Sequence, residues 1–199
     1  IFKMIKYQKA IKIINKISLN ITDEKISTLN SLNRVCSKNI LSPTKNPLSS
    51  NTAFDGFALL AKETKGLSRK KVKKFKILKS LAAGDNPKIK NYKKNSSIEV
   101  MTGAVIPKPF NTIIPVEKVK YFPSKKKPTH IVVDHEIKKF SFIRFAGEDF
   151  DLKEIVIKRG ELIKPKHIMA LTTLGIKNLY VKKKPKIIFF GTGNEIVDY

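Results

Sequence analysis

The middle of the chain consists of short apolar runs, and this pattern constrains the fold more than any other feature of the sequence. Between residues 73 and 137 the runs read FKILKSLAAG, SSIEVMTGAVI, NTIIPVEKVKYF and THIVVDHEI, and they are bounded by Gly, Pro, Asn and Ser. Runs of this length with such boundaries are typical of β-strands joined by turns. The sequence therefore predicts a β-rich domain in the centre of the chain.

The segments on either side of this domain have a different pattern. Residues 4–17 and 26–36 place apolar side chains at helical spacing, and so do residues 165–176, where Gly175 fits a helix C-cap. We therefore expect three helices outside the β-rich part. The last stretch, PKIIFFGTGNEIVDY, predicts a buried strand entering a glycine-containing turn, which is how a βαβ unit begins.

Composition narrows the class of protein. The chain has 199 residues and 41% hydrophobic content, which is enough for a globular fold with a substantial core. No run approaches the roughly 18 apolar residues that a membrane span needs, and no apolar signal-peptide core is present. A single cysteine and three scattered histidines argue against disulfides and against a zinc site built from Cys and His. We expect a soluble cytoplasmic protein.

The chain is strongly basic, with 41 Lys+Arg against 16 Asp+Glu and a formal net charge of +25. Such a charge is the electrostatic signature of a nucleic-acid-binding protein. However, nearly all the basic residues are lysines spread along the chain, whereas base readout favours the bidentate fork of arginine, and no nucleic-acid-reading motif is present. These features argue against a nucleic-acid partner. A solvated basic surface, or a field that attracts small polyanions, fits the pattern better.

The stretch SSNTAFDGFALL, residues 49–60, contains a carboxylate in an otherwise apolar neighbourhood. Asp55 stands between Phe54 and Gly56, and four apolar residues follow. An Asp-Gly pair ordinarily marks a turn, because Asp tolerates left-handed backbone and Gly adopts it freely. A surface turn usually has polar neighbours, so the apolar surroundings make Asp55 a candidate functional acid. Taken alone, the pair fits either a turn or a site.

Five stretches, in order along the chain, resemble the signature motifs of the molybdopterin molybdenumtransferase family, which includes the E domain of gephyrin. They are NTAFDGFAL, LAAGDNP, IEVMTGAVIP, IRFAGEDF and KPKIIFFGTGNEIV. The family counterparts of the first, third and fourth are N-S-A-M-D-G-Y-A-V, R-I-M-T-G-A-x-x-P and I-R-x-x-G-E-D-I. Each string is short by itself, whereas the ordered set covers the chain from about residue 26 to residue 197.

The resemblance implies which residues form the site. By their positions in these motifs, Asp55, Thr102 and Asp149 are expected to be catalytic. Six further positions are expected to bind substrate: Gly56, Gly103, Arg144, Glu117, Thr192 and Glu195. One position departs from the pattern, because Lys153 stands where the family commonly has glycine.

The resemblance also implies a reaction. The substrates are adenylylated molybdopterin and molybdate, the phosphoanhydride is cleaved with the help of Mg²⁺, AMP is released and molybdenum stays on the dithiolene. Hard carboxylate oxygens such as those of Asp suit Mg²⁺, although the sequence leaves its ligands open. A Thr102 hydroxyl and the amide of Gly103 can donate to an oxyanion, and Arg144 can clamp the same group with two hydrogen bonds.

The implied fold class is mixed α+β and multi-domain. A β-rich domain, residues 50–142, is inserted in an elongated dimerisation domain formed by residues 21–49 and 143–182. Residues 183–199 begin an α/β substrate domain that binds molybdopterin, and a helix in residues 1–20 packs with it. The implied assembly is a homodimer whose active site combines residues of both subunits. Because the family's later motifs are missing, the chain is expected to be the front part of a longer enzyme and inactive alone.

Two other classes of protein remain open at this stage. One is a basic nucleic-acid-binding protein, for which steep salt dependence of RNA or DNA binding would be the mark. The other is a non-catalytic scaffold that keeps the same fold, which would dimerise without depending on the site residues.

Overall fold

The structure is a computed structural model that describes residues 5–90, 92–188 and 190. These residues fall into two compact units: Ser42–Glu154 forms one, and the segments before and after it form the other. Most of the regular structure is β. Among the described residues, no helix is long and apolar enough to cross a membrane.

The central unit is built around a six-stranded sheet, as the short apolar runs predict. Its strands in chain order are β4 (Gly56–Leu59), β5 (Lys73–Leu81), β6 (Ser96–Val100), β7 (Thr112–Pro115), β8 (Lys120–Phe122) and β9 (His130–Val133). Their order across the sheet is β7-β4-β6-β5-β9-β8, and every neighbouring pair is antiparallel except β5 and β6, which run parallel. The predicted β-rich centre of the chain is confirmed.

The strand β4 lies between β7 and β6 and is buried on both faces. Phe57 and Leu59 pack into one hydrophobic cluster with residues such as Phe75 and Ile131, while Ala58 packs on the other side against Ile98 and its neighbours. A strand with two buried faces needs a continuous apolar sequence, which GFAL provides. Asp55, the candidate acid, directly precedes this strand and is exposed to solvent.

Two short strands extend the central unit toward the candidate site. They are β3 (Asn51–Thr52) and β10 (Ile143–Arg144), which pair antiparallel with Ile143 opposite Thr52 and Arg144 opposite Asn51. This pairing places the segment before Asp55 beside the segment that leads to Asp149. Two of the five family-like motifs therefore meet through backbone hydrogen bonds.

The second unit has a smaller core of its own. Its strands are β1 (Asp23–Ser27), β2 (Ile40–Leu41), β11 (Ile155–Ile157) and β12 (Asn178–Lys182), with β1 paired to β12 and β2 paired to β11. The helix α2 (Pro165–Thr173) contributes Leu171 to a cluster with Cys36, Ile157 and Ile163. The predicted helix at residues 165–176 is confirmed, and Gly175 has the left-handed φ of +70° expected after a helix end.

The prediction for residues 4–17 is confirmed in shorter form, because α1 spans Tyr7–Ile14. The helix predicted at residues 26–36 is wrong. Ile26 belongs to β1, opposite Leu179, and only a single 3₁₀ turn, Leu29–Ser31, follows. The apolar residues that suggested one buried helical face differ in burial, since Leu29 is 73% exposed while Cys36 is fully buried. The start of this segment is a strand because it pairs with β12, about 150 residues later in the chain. The local spacing of apolar residues carries no information about that distant partner.

Candidate functional site

Asp55 lies at an exposed turn between β3 and β4. Its carboxylate is hydrogen-bonded to Thr102, which belongs to a different turn. Its Oδ1 atom accepts a hydrogen bond from the backbone N–H of Thr102 at 2.6 Å and another from the Thr102 hydroxyl at 2.7 Å. The strands on either side of Asp55 pair with different partners, so the Asp-Gly pair does not close a simple hairpin. Asp55 and Thr102, which are 47 residues apart, form a single unit.

Both donors to Asp55 favour its charged form. The hydroxyl of Thr102, followed by its backbone N–H, lowers the pKa of Asp55 below the ordinary value for an aspartate, and the partial loss of solvent opposes this only weakly. Asp55 is therefore a carboxylate at neutral pH. Since both bonds go to Oδ1, and Oδ2 accepts none from the described residues, the second oxygen is open to a ligand.

Gly56 is required by close packing rather than by a left-handed backbone. A Cβ atom at this position would lie 2.3 Å from the carbonyl oxygen of Ile114 on the neighbouring strand β7. The φ angle of Gly56 is not positive, whereas that of Gly103 is +83°. The sequence-based reason for the Asp-Gly pair is thus wrong for Gly56, although a glycine is indeed needed there.

The turn at Thr102 and Gly103 is fixed against β3. The amide of Gly103 donates to the carbonyl of Thr52 at 2.9 Å, and the amide of Thr52 donates to the carbonyl of Ala104 at 3.0 Å. The Gly103 amide is consequently engaged in the backbone network, and its role as a donor to an oxyanion stays a prediction. The Thr102 hydroxyl likewise points to Asp55. The Thr102 hydroxyl thus positions the Asp55 carboxylate, and the Gly103 amide fixes the turn that carries Thr102.

Asp149 and Arg144 form an ion pair of their own, and neither side chain forms a hydrogen bond or ion pair with Asp55 or Thr102. The Nη2 atom of Arg144 bonds Oδ2 of Asp149, and the same oxygen accepts a hydrogen bond from Nδ2 of Asn46 at 3.1 Å. The carboxylate of Asp149 raises the pKa of Arg144, chiefly through this hydrogen bond. Both side chains remain about 40% exposed, at 41% for Arg144 and 39% for Asp149. Solvent and ligands can therefore reach the pair.

Backbone contacts hold Asp149 in place. Its amide donates to the carbonyl of Asn46 at 2.9 Å, and the amide of Gly147, which has a left-handed φ of +80°, donates to the carbonyl of Pro47 at 2.9 Å. The G-E-D turn therefore rests on the segment that the sequence marks only as a proline-containing linker. Asn46 is a supporting residue that sequence reasoning missed, and nothing in its local pattern distinguishes it from other linker asparagines.

Glu117 lies beside the Asp55 turn. It belongs to an exposed 3₁₀ turn, Val116–Lys118, which continues directly from β7. The amide of Val116 donates to the carbonyl of Asp55 at 3.1 Å, so the backbone next to Glu117 is joined to the turn that carries the candidate acid. Thr192 and Glu195, the remaining predicted site residues, lie outside the described residues.

The acids of the described residues are dispersed. No group of three or more His, Cys, Asp or Glu side chains converges there in a way that could hold a metal ion by protein ligands alone. This arrangement still suits Mg²⁺, which commonly uses one or two carboxylates together with water and substrate phosphate. Asp55, with its free Oδ2, is the side chain that fits such a role.

The described residues thus define a predominantly β protein whose candidate site presents exposed carboxylates fixed by hydroxyl, amide and guanidinium donors. Residues 5–175 match the family model described as the MoeA N-terminal region, domains I and II. The chain belongs to this family.

Curated relatives and solved structures agree with this assignment. The chain is 26% identical over 194 residues to a molybdopterin molybdenumtransferase of Staphylococcus epidermidis, covering 98% of this chain and 45% of that protein. It is 27% identical over 198 residues to the Synechococcus elongatus protein of the same name, covering 98% and 48%. A crystal structure of a molybdopterin biosynthesis MoeA protein from Pyrococcus horikoshii OT3 superposes with a TM-score of 0.81 at 28% identity, over 92% of this chain and 47% of that one. The chain spans about half the length of the relatives it matches.

Proposed function

We propose that the full-length protein containing this chain is a molybdopterin molybdenumtransferase that acts in molybdenum cofactor biosynthesis. It inserts molybdate into adenylylated molybdopterin and releases AMP. Support comes from the family match over residues 5–175 and from the relatives named molybdopterin molybdenumtransferase. The observation that carries the proposal is the Asp55–Thr102 unit, because two hydrogen bonds to one oxygen leave an ionised, oriented carboxylate at the surface of the β-rich unit.

In this proposal Asp55 orients the reacting anionic groups through its charge. A carboxylate that is fixed before the substrate binds does not have to reorient during the reaction, so no free energy is lost to reorganisation. This is the basis of electrostatic preorganisation. Thr102 acts through Asp55: its hydroxyl and amide keep the carboxylate ionised and hold its direction. Gly56 and Gly103 allow the two turns to approach their neighbouring strands.

Mg²⁺ would be held by Asp55 Oδ2 together with water and substrate phosphate oxygens. When bound, it would neutralise charge on the phosphoanhydride and so assist its cleavage. Because Asp149 Oδ2 already accepts bonds from Arg144 and Asn46, that oxygen is less available to a cation. We assign Asp149 the task of holding the Arg144 guanidinium toward the substrate, where the remaining donors of Arg144 can bind an oxyanion.

The remaining assignments concern the whole protein. Glu117 is proposed to contact substrate from the edge of the Asp55 turn, and Thr192 and Glu195 from the start of the substrate domain. We propose a homodimer in which residues 21–49 and 143–182 form the dimerising part. The inserted residues 50–142 of one subunit would then complete an active site with the substrate domain of the other. The helix in residues 1–20 is proposed to pack with that substrate domain, and its exposed isoleucines, such as Ile14 at 58%, suit such a role.

The direct test uses purified full-length protein with Mg²⁺, molybdate and adenylylated molybdopterin. We expect AMP release and molybdenum incorporation to proceed together, each depending on molybdate and on Mg²⁺. An intact adenylate after prolonged incubation, with no molybdenum bound to the pterin, would refute the enzymatic proposal. Normal dimerisation combined with that negative result would favour a scaffold with this fold.

A further inference from the structure

Two adjoining cavities on the central unit are lined mainly by lysines. The larger has a volume of about 690 Å³, and the polar side chains that line it are Lys76, Lys90, Tyr92, Lys93, Lys94 and Ser96. The second, of about 520 Å³, shares Tyr92 and Lys94 with the first and adds Lys62, Lys73 and one acid, Glu63. Six lysines therefore face this region, against a single carboxylate.

The lysines of the larger cavity have no counter-charge within the described part of the chain. None of Lys76, Lys90, Lys93 and Lys94 forms an ion pair or a side-chain hydrogen bond there, whereas Lys45 and Lys182 are each paired with an aspartate. Like charges that line one concave surface repel each other and raise the local potential. A bound polyanion relieves this repulsion and is attracted before it makes contact.

The loop that presents these lysines is fixed to the body of the unit. Glu63, which is only 7% exposed, accepts a hydrogen bond from the Tyr92 hydroxyl at 2.8 Å on one oxygen and from the Asn95 amide at 3.1 Å on the other. Asn95 in turn accepts a bond from the Lys76 amide at 2.9 Å, which joins the loop to β5. The single acid of the region is thus fixed in the wall of the cavity, and its one charge offsets only part of the charge of the six lysines.

Tyr92 is fixed both through its hydroxyl and through its ring. Its hydroxyl bonds Glu63, and its ring packs edge to face against Phe110 with centroids 5.7 Å apart. Burial, together with the bond to Glu63, raises the pKa of Tyr92 to about 12, so it stays a protonated donor at neutral pH. A wall fixed in this way restricts the backbone that carries Lys93 and Lys94, so less free energy is lost to ordering this loop when a ligand binds.

From these features we infer that the Lys76–Lys90–Lys93–Lys94 cavity is an oligophosphate-binding site, distinct from the Asp55 site and independent of the proposed reaction. A single phosphate would neutralise only part of the charge, and the larger cavity lies within the usual size range of small-ligand pockets, roughly 300–1,000 Å³. A chain of linked phosphates carries several anionic groups, which can meet different lysines of the cavity. The Tyr92–Lys94 wall lies between the two cavities and would contact the ligand from both.

The inference is tested by titrating the full-length protein with inorganic tripolyphosphate at moderate salt, using calorimetry. We expect saturable binding that is at least about tenfold weaker in Lys93→Gln/Lys94→Gln, since each lost charged contact removes a strong hydrogen bond. The matched control is Lys125→Gln/Lys126→Gln, which removes the same charge from an exposed loop elsewhere on the same unit. This control should bind within about threefold of the wild type, and melting curves should show that both variants are folded.

A second variant tests the role of the fixed wall. Tyr92→Phe keeps the ring and every lysine but removes the bond to Glu63, and we expect it to bind tripolyphosphate several-fold more weakly. Equal losses in the two lysine variants would show a general field effect and overturn the inference, as would the absence of saturable binding. Tighter binding of a single-stranded oligonucleotide, lost in the same Lys93/Lys94 variant, would also overturn it by identifying a nucleic-acid surface.

Discussion

At the scale of single residues, Asp55 is the position where charge and packing can be separated most cleanly. Replacing Asp55 by Asn keeps the size and the turn tolerance of the side chain but removes its charge. We expect the activity of the full-length enzyme to fall by about 10² or more, the scale for loss of one electrostatic catalytic group. The melting temperature should be nearly unchanged, because the side chain is exposed. Molybdenum incorporation measured beside a melting curve checks both expectations.

The matched control for this substitution is Asp134→Asn. Asp134 is an acid of the same unit whose pKa is likewise lowered, chiefly by its bond to His135. If Asp134→Asn reduces activity as much as Asp55→Asn, the effect is one of general charge. Wild-type activity in Asp55→Asn would make Asp55 an ordinary turn residue.

Thr102 determines how acidic Asp55 is. In Thr102→Val the hydroxyl donor is lost while the backbone donor remains, so the pKa of Asp55 should rise toward the ordinary value of about 3.9. Because the folded-state pKa lies below the unfolded one, the bonds to Asp55 stabilise the fold above about pH 4, and this stabilisation disappears as pH falls through the folded pKa. Carboxyl-carbon NMR titration of the two proteins measures the change directly. An unchanged pKa would contradict the geometry.

Lys153 stands at a position where the resemblance leads us to expect a glycine. It has a left-handed φ of +66°, and its amide donates to the carbonyl of Ser42 at 2.9 Å. Side chains other than glycine are strained in this conformation, so Lys153→Gly should raise the free energy of unfolding by about 0.5–1 kcal/mol, net of the greater freedom of glycine in the unfolded chain. Urea denaturation measures this. Met169→Gly, at an exposed position in the middle of α2, is the control, and it should instead lower the free energy of unfolding by about 1 kcal/mol.

At the scale of elements, the close approach of β4 to β7 depends on the absence of one side chain. Gly56→Ala places a Cβ atom 2.3 Å from a backbone oxygen that cannot rotate away, so the two strands must separate. We expect a loss of about 1–3 kcal/mol or more in unfolding free energy, as for overpacking in a core. Gly66→Ala has open space around it and only a φ of +71° to accommodate, so it should cost less. A larger loss in Gly66→Ala would contradict this account of Gly56.

The elements also show why one helix prediction failed and two succeeded. Residues 165–176 and 4–17 form helices from local signals: a proline at the first turn and a glycine after the end of α2, and helical apolar spacing in α1. Residues 26–36 had comparable spacing, but Ile26 and its neighbours gain more by pairing with β12. Local periodicity indicates which face of a segment is apolar, but it does not indicate whether a distant strand can pair with that segment.

At the scale of the whole molecule, the proposed shared site predicts complementation between subunits. A mixed dimer of Asp55→Asn with a variant inactivated in the substrate domain should recover part of the wild-type activity, because one of its two sites receives both intact halves. The Asp55→Asn homodimer is the control. Both of its sites lack the carboxylate, so it should recover nothing. Equal activity of the mixed dimer and this homodimer would refute a site shared between subunits.

The basic charge also acts at this scale. The lysines that give the net charge of +25 are spread along the sequence, and the structure brings six of them together around Tyr92. The spread of lysines along the sequence predicts general attraction of anions. The cavity depends on β5, the 92–95 loop and buried Glu63 coming together. No local motif in the sequence marks that arrangement.

The sequence by itself determined the β-rich centre of the chain, two of its helices and the candidate acid, because apolar spacing, turn residues and short motifs are local signals. Only the tertiary structure decided that both donors to Asp55 come from Thr102, that Gly103 is engaged with Thr52, and that Asn46 holds Asp149. It also decided that Glu63 anchors a lysine-lined wall. These contacts join residues tens of positions apart, and their formation depends on how the strands pair, which composition and periodicity do not encode.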